Sequence, residues 1–172
     1  MTATTTKQIP LLDPGAQHRP LRDDLLRAMT QVLDSQHFIM GEEVKKLETE
    51  IAAYTGVSRA VGCASGSDAL YLALLAAGVG RGDEVLTTPF SFFATAGSIS
   101  RVGARPVFVD IEPDTFNIDP ERLAEAVRAH SSVKAIIPVH LFGACADMDP
   151  ILGIAAECGA VVIEDGAQSI GA

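Results

Sequence analysis

The sequence predicts an α/β fold, a mostly parallel sheet with helices on both faces. From Arg59 onward, short apolar strands alternate with helical segments, and no long linker or internal repeat interrupts them. Parallel strands need a crossover connection, usually a helix, so this alternation is typical of a parallel sheet. A hydrophobic content of 48% over 172 residues is enough for one sizeable core. In open sheets of this kind, ligands bind at the carboxyl ends of the strands.

Two amphipathic helices are predicted before the alternation begins. The first spans residues 20–35 and carries one apolar stripe. The second spans residues 41–56 and ends at Gly56. Its side chains expected to face inward are Val44, Leu47, Ile51 and Tyr54. The chain therefore divides into an N-terminal leader with helices, residues 1–58, and an α/β region, residues 59–172.

The elements of the α/β region follow from its apolar runs and the helix starts between them. Strands are expected at residues 59–65, 83–88, 105–111, 134–140 and 160–165. Helices are expected at residues 67–78, 92–103, 119–130 and 147–159. Asp119 and Pro120 mark one helix start, because aspartate is a favoured N-cap and proline is favoured at the first helical position.

Composition limits the classes of partner and compartment. The 22 acidic and 13 basic residues give a net charge of −9, which disfavours nucleic acid and anionic membrane surfaces. Three cysteines without a CxxC spacing fit a reduced cytosolic protein better than a disulfide framework or a metal site. No secretory h-region and no apolar run of about 18 residues is visible. We therefore expect a soluble cytoplasmic protein with no metal, membrane or nucleic-acid partner.

The segment CASGSDAL, residues 63–70, is the first candidate binding element. A predicted strand ends here, a tight turn follows, and an apolar helix begins. Free backbone N–H groups and the positive dipole end make such a helix start suitable for phosphate, and Gly66 allows close approach. The alternative is that Ser67 merely caps the helix, and the local sequence favours neither. The glycine spacing matches neither a dinucleotide-binding motif nor a P-loop.

Three phenylalanines form the second candidate element. Phe90, Phe92 and Phe93 follow Pro89 at a predicted strand end, in a chain that is only 5% aromatic. Core packing is the simpler explanation for any one of them. The functional hypothesis is that one ring leaves the core and stacks on a planar ligand at the strand ends.

The last segment, VVIEDGAQSIGA, brings a carboxylate to the edge of the predicted sheet. Residues 161–163 are expected to form a strand buried on both faces, so Asp165 arrives at its carboxyl end. A buried carboxylate needs a partner, which could be an arginine, a helix N-terminus or the cationic ring nitrogen of a cofactor. Gln168 can reach a neighbouring phenolic oxygen, and Glu164 should point the other way in a structural role.

Together these segments resemble the fold-type I, PLP-dependent nucleotide-sugar aminotransferases of the DegT/DnrJ/StrS type. The resemblance runs through nearly the whole chain and is carried by FIMGEEVKKLETEIAAYTGV, SGSDALYLAL, residues 82–119, IIPVHLFGACADMD and VIEDGAQSIGA. It implies that residues 59–172 are part of the large, PLP-binding domain of such an enzyme. It also implies a homodimer, and a C-terminal small domain that these 172 residues do not contain.

The resemblance implies a role for each candidate in binding pyridoxal 5'-phosphate (PLP). The cofactor-binding residues would be Gly66, Ser67, Asp68, Phe92, Asp165 and Gln168. The turn at Gly66, the backbone amides of Ser67 and Asp68 and the Ser67 hydroxyl would hold the phosphate. Phe92 would stack on the pyridine ring. Asp165 would be catalytic, because its pairing with the pyridinium N–H keeps the ring an electron sink. Gln168 would bind the 3-oxygen.

Two family positions remain. His140 matches one at a strand end, where we favour a structural role. The Schiff-base lysine of the family lies beyond the acid-and-glutamine segment, and no lysine of this chain replaces it. The lysines present are Lys7, Lys45, Lys46 and Lys134. The 172 residues alone are therefore expected to be inactive, as a truncated portion of an aminotransferase.

The leading functional expectation is transfer of an amino group from glutamate to a keto-sugar of a nucleotide diphosphate, with relatives acting on UDP-linked 3-keto sugars the nearest subgroup. One alternative is a PLP-dependent sugar dehydratase on the same scaffold, with histidine in the place of the lysine. Another is a catalytically inert fragment or pseudoenzyme that binds at most PLP or a partner subunit.

Overall fold

The computed structural model describes residues 10–172, and the predicted leader residues 1–9, with Lys7, lie outside them. The α-helices of the described chain are Pro14–His18 (α1), Arg22–Ser35 (α2), Glu42–Thr55 (α3), Gly66–Ala76 (α4), Phe93–Arg101 (α5), Pro120–Ala129 (α6) and Met148–Cys158 (α7). Short 3₁₀ turns lie at Arg19–Leu21 and Leu141–Gly143. The strands are Glu84–Thr87 (β1), Arg105–Phe108 (β2), Val133–Ile137 (β3) and Val161–Val162 (β4).

The four strands form one sheet in the order β2-β1-β3-β4, and every pairing is parallel. The chain leaves β1 through α5 to reach β2 on one side, and then crosses through α6 to β3 on the other side. The predicted parallel α/β fold is therefore confirmed. This order places a topological switch point between β1 and β3, where open α/β sheets have a crevice for ligands.

Alternate residues of the central strands enter two separate cores, because successive side chains of a strand point to opposite faces. Val85 and Ile137 pack with α4 and α5, through residues such as Leu74. Leu86 and Ile136 pack with α6 and α7. Helices thus cover both faces of the sheet, as predicted. The N-cap of α6 is also as predicted: Asp119 accepts backbone N–H groups of the first turn.

The predicted strand at residues 59–65 is wrong. The segment is extended, but in the described part of the chain no strand pairs with it. Both sides of β1 are taken by β2 and β3, and the N–H of Gly62 donates instead to Glu48 Oε1 at 2.8 Å. An extended segment becomes a strand only where a neighbouring strand pairs with its backbone N–H and C=O groups. The local sequence does not reveal whether such a neighbour exists.

The last strand is shorter and more exposed than predicted. β4 contains only two residues, and Val161 is 43% exposed rather than buried on both faces. The reason is its position at the edge of the sheet, beside β3 alone. Backbone pairing nevertheless continues beyond β4, because the N–H of Ile163 donates to Ile136 and a parallel bridge joins Val139 to Asp165.

The N-terminal helices lie where the sequence predicts them, but their apolar faces are not covered by the described chain. α2 and α3 bury no residue within it. The predicted inward orientation of Leu47 and Tyr54 is wrong, since they are 55% and 67% exposed. Gly56 ends α3 with a φ of 73°, as predicted. The division of the chain at residues 58 and 59 stays a prediction. Within residues 10–172, no helix has the length and apolar content to cross a membrane.

Two neighbouring leucines of α4 provide a test of the core. Leu74 is fully buried, whereas Leu75 is 47% exposed. We expect Leu74→Ala to lower the free energy of unfolding by about 2–5 kcal/mol, because a cavity replaces a packed side chain. Leu75→Ala should cost less than about 1 kcal/mol. Urea denaturation followed by circular dichroism measures both, and equal losses would contradict this packing.

Candidate functional site

A cavity of about 420 Å³ opens at the carboxyl end of the sheet. Its walls come from the start of α4, the start of α5 and the segment that follows β4. The predicted cofactor-binding residues that line it are Gly66, Ser67, Phe92 and Asp165. Asp68 and Gln168 do not line it. The volume lies within the range of small-molecule sites, about 300–1,000 Å³.

The first turn of α4 presents free backbone amides to this cavity. The residue that caps the helix is Ser65, whose hydroxyl oxygen accepts the N–H of Asp68 at 3.1 Å. The alternative in which Ser67 is the cap is therefore wrong. Among residues 10–172, the N–H groups of Gly66 and Ser67 have no acceptor. They lie at the positive end of the helix dipole and can receive an anion.

Asp68 contributes its charge beside the cavity rather than inside it. Its Oδ1 accepts a hydrogen bond from Arg101 Nη1 at 2.9 Å. The guanidinium carbon of Arg101 also lies 4.1 Å from the centroid of the Tyr71 ring. The arginine side chain is 56% exposed, so the ion pair adds little stability. The positive charge of Arg101 instead offsets the negative charge of Asp68, which lies close to the amides of the first turn of α4.

Of the three phenylalanines around the start of α5, Phe92 is the one that lines the cavity. It is 78% exposed and occupies the N-cap position of α5 in an extended conformation. Phe93 is also exposed but does not line the cavity. Phe90 is 45% exposed and packs against Phe116 and Phe142 at centroid distances of 5.7 and 6.4 Å. A ring that stacks on a ligand has to leave the core, and Phe92 meets that condition.

Asp165 is a buried carboxylate in the wall of the cavity, with a side chain that is fixed by hydrogen bonds. Its backbone N–H donates to Pro138 O at 2.9 Å, which continues the pairing of β3. Its Oδ2 accepts the hydroxyl of Thr95 at 2.9 Å, and its Oδ1 accepts the N–H of Ala167 at 3.3 Å. Asp165 is only 9% exposed, yet it forms no ion pair within residues 10–172. Its charge therefore faces the cavity without a cation.

Gln168 holds a loop instead of lining the cavity. Its Oε1 accepts the N–H of Phe142 at 2.7 Å. Phe142 has a φ of 55°, a left-handed conformation that costs free energy for a bulky residue. The buried Asn117 holds the same loop, because it accepts the N–H of Leu141 at 3.2 Å and donates to Ala144 O at 3.1 Å. Asn117 has no motif around it, so nothing in the sequence points to this role.

His140 has partners at both ring nitrogens. Nδ1 accepts the N–H of Ala146 at 3.1 Å, so in the neutral ring the proton is on Nε2. Nε2 then donates to Glu164 Oε2 at 2.9 Å. His140 is buried at 4% exposure, and this arrangement is consistent with the structural role that the sequence predicts. Glu164 turns towards His140 and not towards the carboxylate of Asp165.

Of the lysines that the structure describes, none lines the cavity. Lys45 and Lys46 donate hydrogen bonds to Glu42 and Glu43, respectively, on the exposed surface of α3, and these contacts raise the pKa of both lysines. A nucleophilic lysine needs the opposite shift. Lys134 lies at the amino end of β3, away from the strand ends that carry the cavity.

A sequence model of the DegT/DnrJ/EryC1/StrS aminotransferase family matches residues 20–172. The chain belongs to this family. It is 56% identical to a pleiotropic regulatory protein of Geobacillus stearothermophilus, over 95% of this chain and 44% of that protein. It is 46% identical to a UDP-N-acetyl-3-dehydro-alpha-D-glucosamine 3-aminotransferase of Acidithiobacillus ferrooxidans, over 98% of this chain and 45% of that enzyme. It is 44% identical to a UDP-2-acetamido-2-deoxy-3-oxo-D-glucuronate aminotransferase of Pseudomonas aeruginosa, over 95% of this chain and 45% of that enzyme.

Solved structures show the same fold. DesV of S. venezuelae superposes with a TM-score of 0.93 at 38% identity, over 96% of this chain and 44% of DesV. NtdA of Bacillus subtilis, with bound PMP cofactor, superposes with a TM-score of 0.92 at 34% identity, over 99% of this chain and 39% of NtdA. A GDP-4-keto-6-deoxymannose-3-dehydratase superposes with a TM-score of 0.79 at 38% identity, over 86% of this chain and 39% of the dehydratase. The chain thus has the fold of fold-type I PLP enzymes, and spans less than half the length of the relatives it matches.

The contact between Gln168 and Phe142 can be tested by hydrogen exchange. Gln168→Ala removes the acceptor of the Phe142 N–H, so we expect exchange at this amide to accelerate by about tenfold, as for the loss of one hydrogen bond. The N–H of Leu141 is an internal control, because Asn117 accepts it. NMR-detected exchange measures both amides. Unchanged exchange at Phe142 would contradict the role assigned to Gln168.

Proposed function

We propose that this chain supplies the cofactor cavity of a PLP-dependent aminotransferase that moves an amino group from glutamate to a keto-sugar of a nucleotide diphosphate. The observation that carries the proposal is Asp165, a buried carboxylate in a cavity wall without an ion-pair partner in residues 10–172. Such a charge is costly unless it is compensated. A cationic ring nitrogen in the cavity would compensate it, and family membership supports PLP as the source of that ring.

The residues around the cavity fit the other parts of PLP. The free amides of Gly66 and Ser67 would hold its phosphate, which a protein of net charge −9 has to bind through local donors. Phe92 would lie against the face of the ring. When bound, PLP supplies an electron sink for proton transfer at the carbon that carries the amino group.

Two predicted contacts fit less directly. The amide of Asp68 is already used by Ser65, so we propose that Asp68 supports the helix start and does not donate to the phosphate. Gln168 Oε1 accepts the Phe142 N–H, and we propose that its Nε2 group donates to the ring 3-oxygen when the cofactor binds. Because Gln168 does not line the cavity, this contact requires a turn of its side chain.

The chain's own residues prepare the cavity for this chemistry. The hydrogen bonds from Thr95 and Ala167 fix the direction of the Asp165 carboxylate. Leu70 and Ile163 add apolar wall, which lowers the local dielectric and strengthens a carboxylate–cation contact. Asp165 would therefore keep the ring nitrogen protonated throughout the reaction.

For the substrate, we propose a UDP-linked 3-keto sugar. The support is that two of the relatives are named as aminotransferases of such sugars. A sugar dehydratase is the second candidate, because one structure of the same fold carries that name. The product distinguishes them: the aminotransferase gives an amino sugar and consumes glutamate stoichiometrically, whereas the dehydratase gives a deoxy sugar.

We also propose a cytoplasmic homodimer, and free cysteines in the described residues are consistent with a reducing compartment.

Asp165→Asn tests the ring-nitrogen partner. The substitution keeps the shape of the side chain and removes its charge, so we expect transamination to fall by orders of magnitude while PLP binding persists in part. The assay is glutamate-dependent amino-sugar formation by the protein expressed from its complete reading frame. Asp149→Asn, on the exposed surface of α7, is the matched control and should be neutral. Near-normal turnover of Asp165→Asn would remove this residue from its role.

Gly66→Ala tests the position of the phosphate. A Cβ at Gly66 meets no atom of the described residues within 4 Å, so folding should be unaffected, but the methyl group would occupy ligand space. We expect PLP affinity to fall by about tenfold, equivalent to about 1.4 kcal/mol. Gly153→Ala on α7 has an equally open Cβ position and is the control. Equal PLP affinities of the two variants in a spectroscopic titration would contradict the proposed phosphate site.

A further inference from the structure

A buried hydroxyl lies directly behind the Asp165 carboxylate. Thr95 is the third residue of α5 and is 1% exposed. Its Oγ1 lies 2.9 Å from Asp165 Oδ2 and 3.0 Å from the hydroxyl oxygen of Ser91. Thr95 does not line the cavity, so any effect of its hydroxyl on a ligand has to pass through Asp165.

The direction of these hydrogen bonds follows from the number of protons. A charged carboxylate only accepts, and a threonine hydroxyl has one proton to donate. The Thr95 proton is therefore used on Asp165, and Ser91 has to be the donor to Thr95. The result is a short chain of donation from Ser91 through Thr95 to Asp165, and such chains strengthen each successive hydrogen bond.

The same segment also presents the ring that lines the cavity. Thr95 and Phe92 lie in one turn, joined by the backbone hydrogen bond from the Thr95 N–H to Phe92 O at 3.2 Å. The second carboxylate oxygen of Asp165 is held within its own segment by the N–H of Ala167. Two donors on different segments thus fix the carboxylate relative to Phe92. The buried Thr87 differs from Thr95, because its hydroxyl donates to a neutral backbone carbonyl, Ile137 O.

We propose that Thr95 is a positioning residue that aims the Asp165 carboxylate at the ring nitrogen of a pyridine cofactor. The inference rests on the proposed function, and it extends the site to a residue that does not touch the ligand. Without the hydroxyl, the carboxylate loses one of its two hydrogen-bond donors and rotates more freely. Its contact with a ring N–H then weakens, while contacts with the phosphate and the ring face are unchanged.

The test compares two ligands on the protein expressed from its complete reading frame. One is PLP, and the other is 1-deaza-PLP, in which a C–H group replaces the ring nitrogen. Thr95→Val keeps the shape and removes the hydroxyl, Thr95→Ser keeps the hydroxyl, and Thr87→Val removes a buried threonine hydroxyl away from the cavity. Spectroscopic titration gives the affinity of each variant for each ligand.

We expect the unaltered protein to prefer PLP over the deaza analogue. Thr95→Val should lower the affinity for PLP by about 5- to 20-fold, the effect of losing a charge-assisted hydrogen bond, and leave the affinity for the analogue unchanged. Thr95→Ser should restore the preference, and Thr87→Val should keep it. Should Thr95→Val not fold, Thr95→Ala against Thr95→Ser isolates the same hydroxyl and the same expectations apply.

Two results would overturn the inference about Thr95 alone. One is a normal preference for PLP in the variant without the hydroxyl. The other is an equal loss of affinity for both ligands, which is what a purely structural role produces. If the unaltered protein itself binds both ligands equally, the pairing of Asp165 with a ring nitrogen is wrong, and the role of Thr95 is overturned with it. The failure of the proposed function is therefore recognised separately, in the unaltered protein.

Discussion

The charge of Asp165 is the constraint on which the rest of the site depends. A carboxylate that is 9% exposed and has no cation among residues 10–172 carries a desolvation cost that the described chain does not compensate. The chain accepts this cost and fixes the group, with Thr95 and Ala167 as donors to its two oxygens. Such an arrangement is expected where a ligand brings the compensating charge, because pre-organised groups need no rearrangement when it binds.

The parallel sheet explains why these groups meet. The carboxyl ends of parallel strands lie at one edge, and the order β2-β1-β3-β4 opens a crevice at the switch point beside β1. α5 follows β1 and brings Phe92, whereas α4 directs its free amides at the same space. Asp165 arrives through pairing that continues from β4 along β3. One sheet edge therefore combines an anion site, an aromatic face and a carboxylate.

The sequence predicts those features that local chemistry determines, such as the cap at Asp119 and the β-α alternation. It fails where a distant partner decides: residues 59–65 are extended but have no strand beside them in the described chain. Ser65 replaces Ser67 as the cap of α4 because capping depends on where the helix begins, which a pattern places only within a residue or two. Thr95 and Asn117 were missed because their partners lie 70 and 24–27 residues away.

The most direct test of the central claim is the protonation state of the bound ring. PLP labelled with ¹⁵N at the ring nitrogen, bound to the protein expressed from its complete reading frame, reports that state through its NMR chemical shift. Pairing with the Asp165 carboxylate predicts a pyridinium shift that persists above the pH at which the free cofactor loses the proton. A neutral pyridine shift across the same pH range would contradict the account.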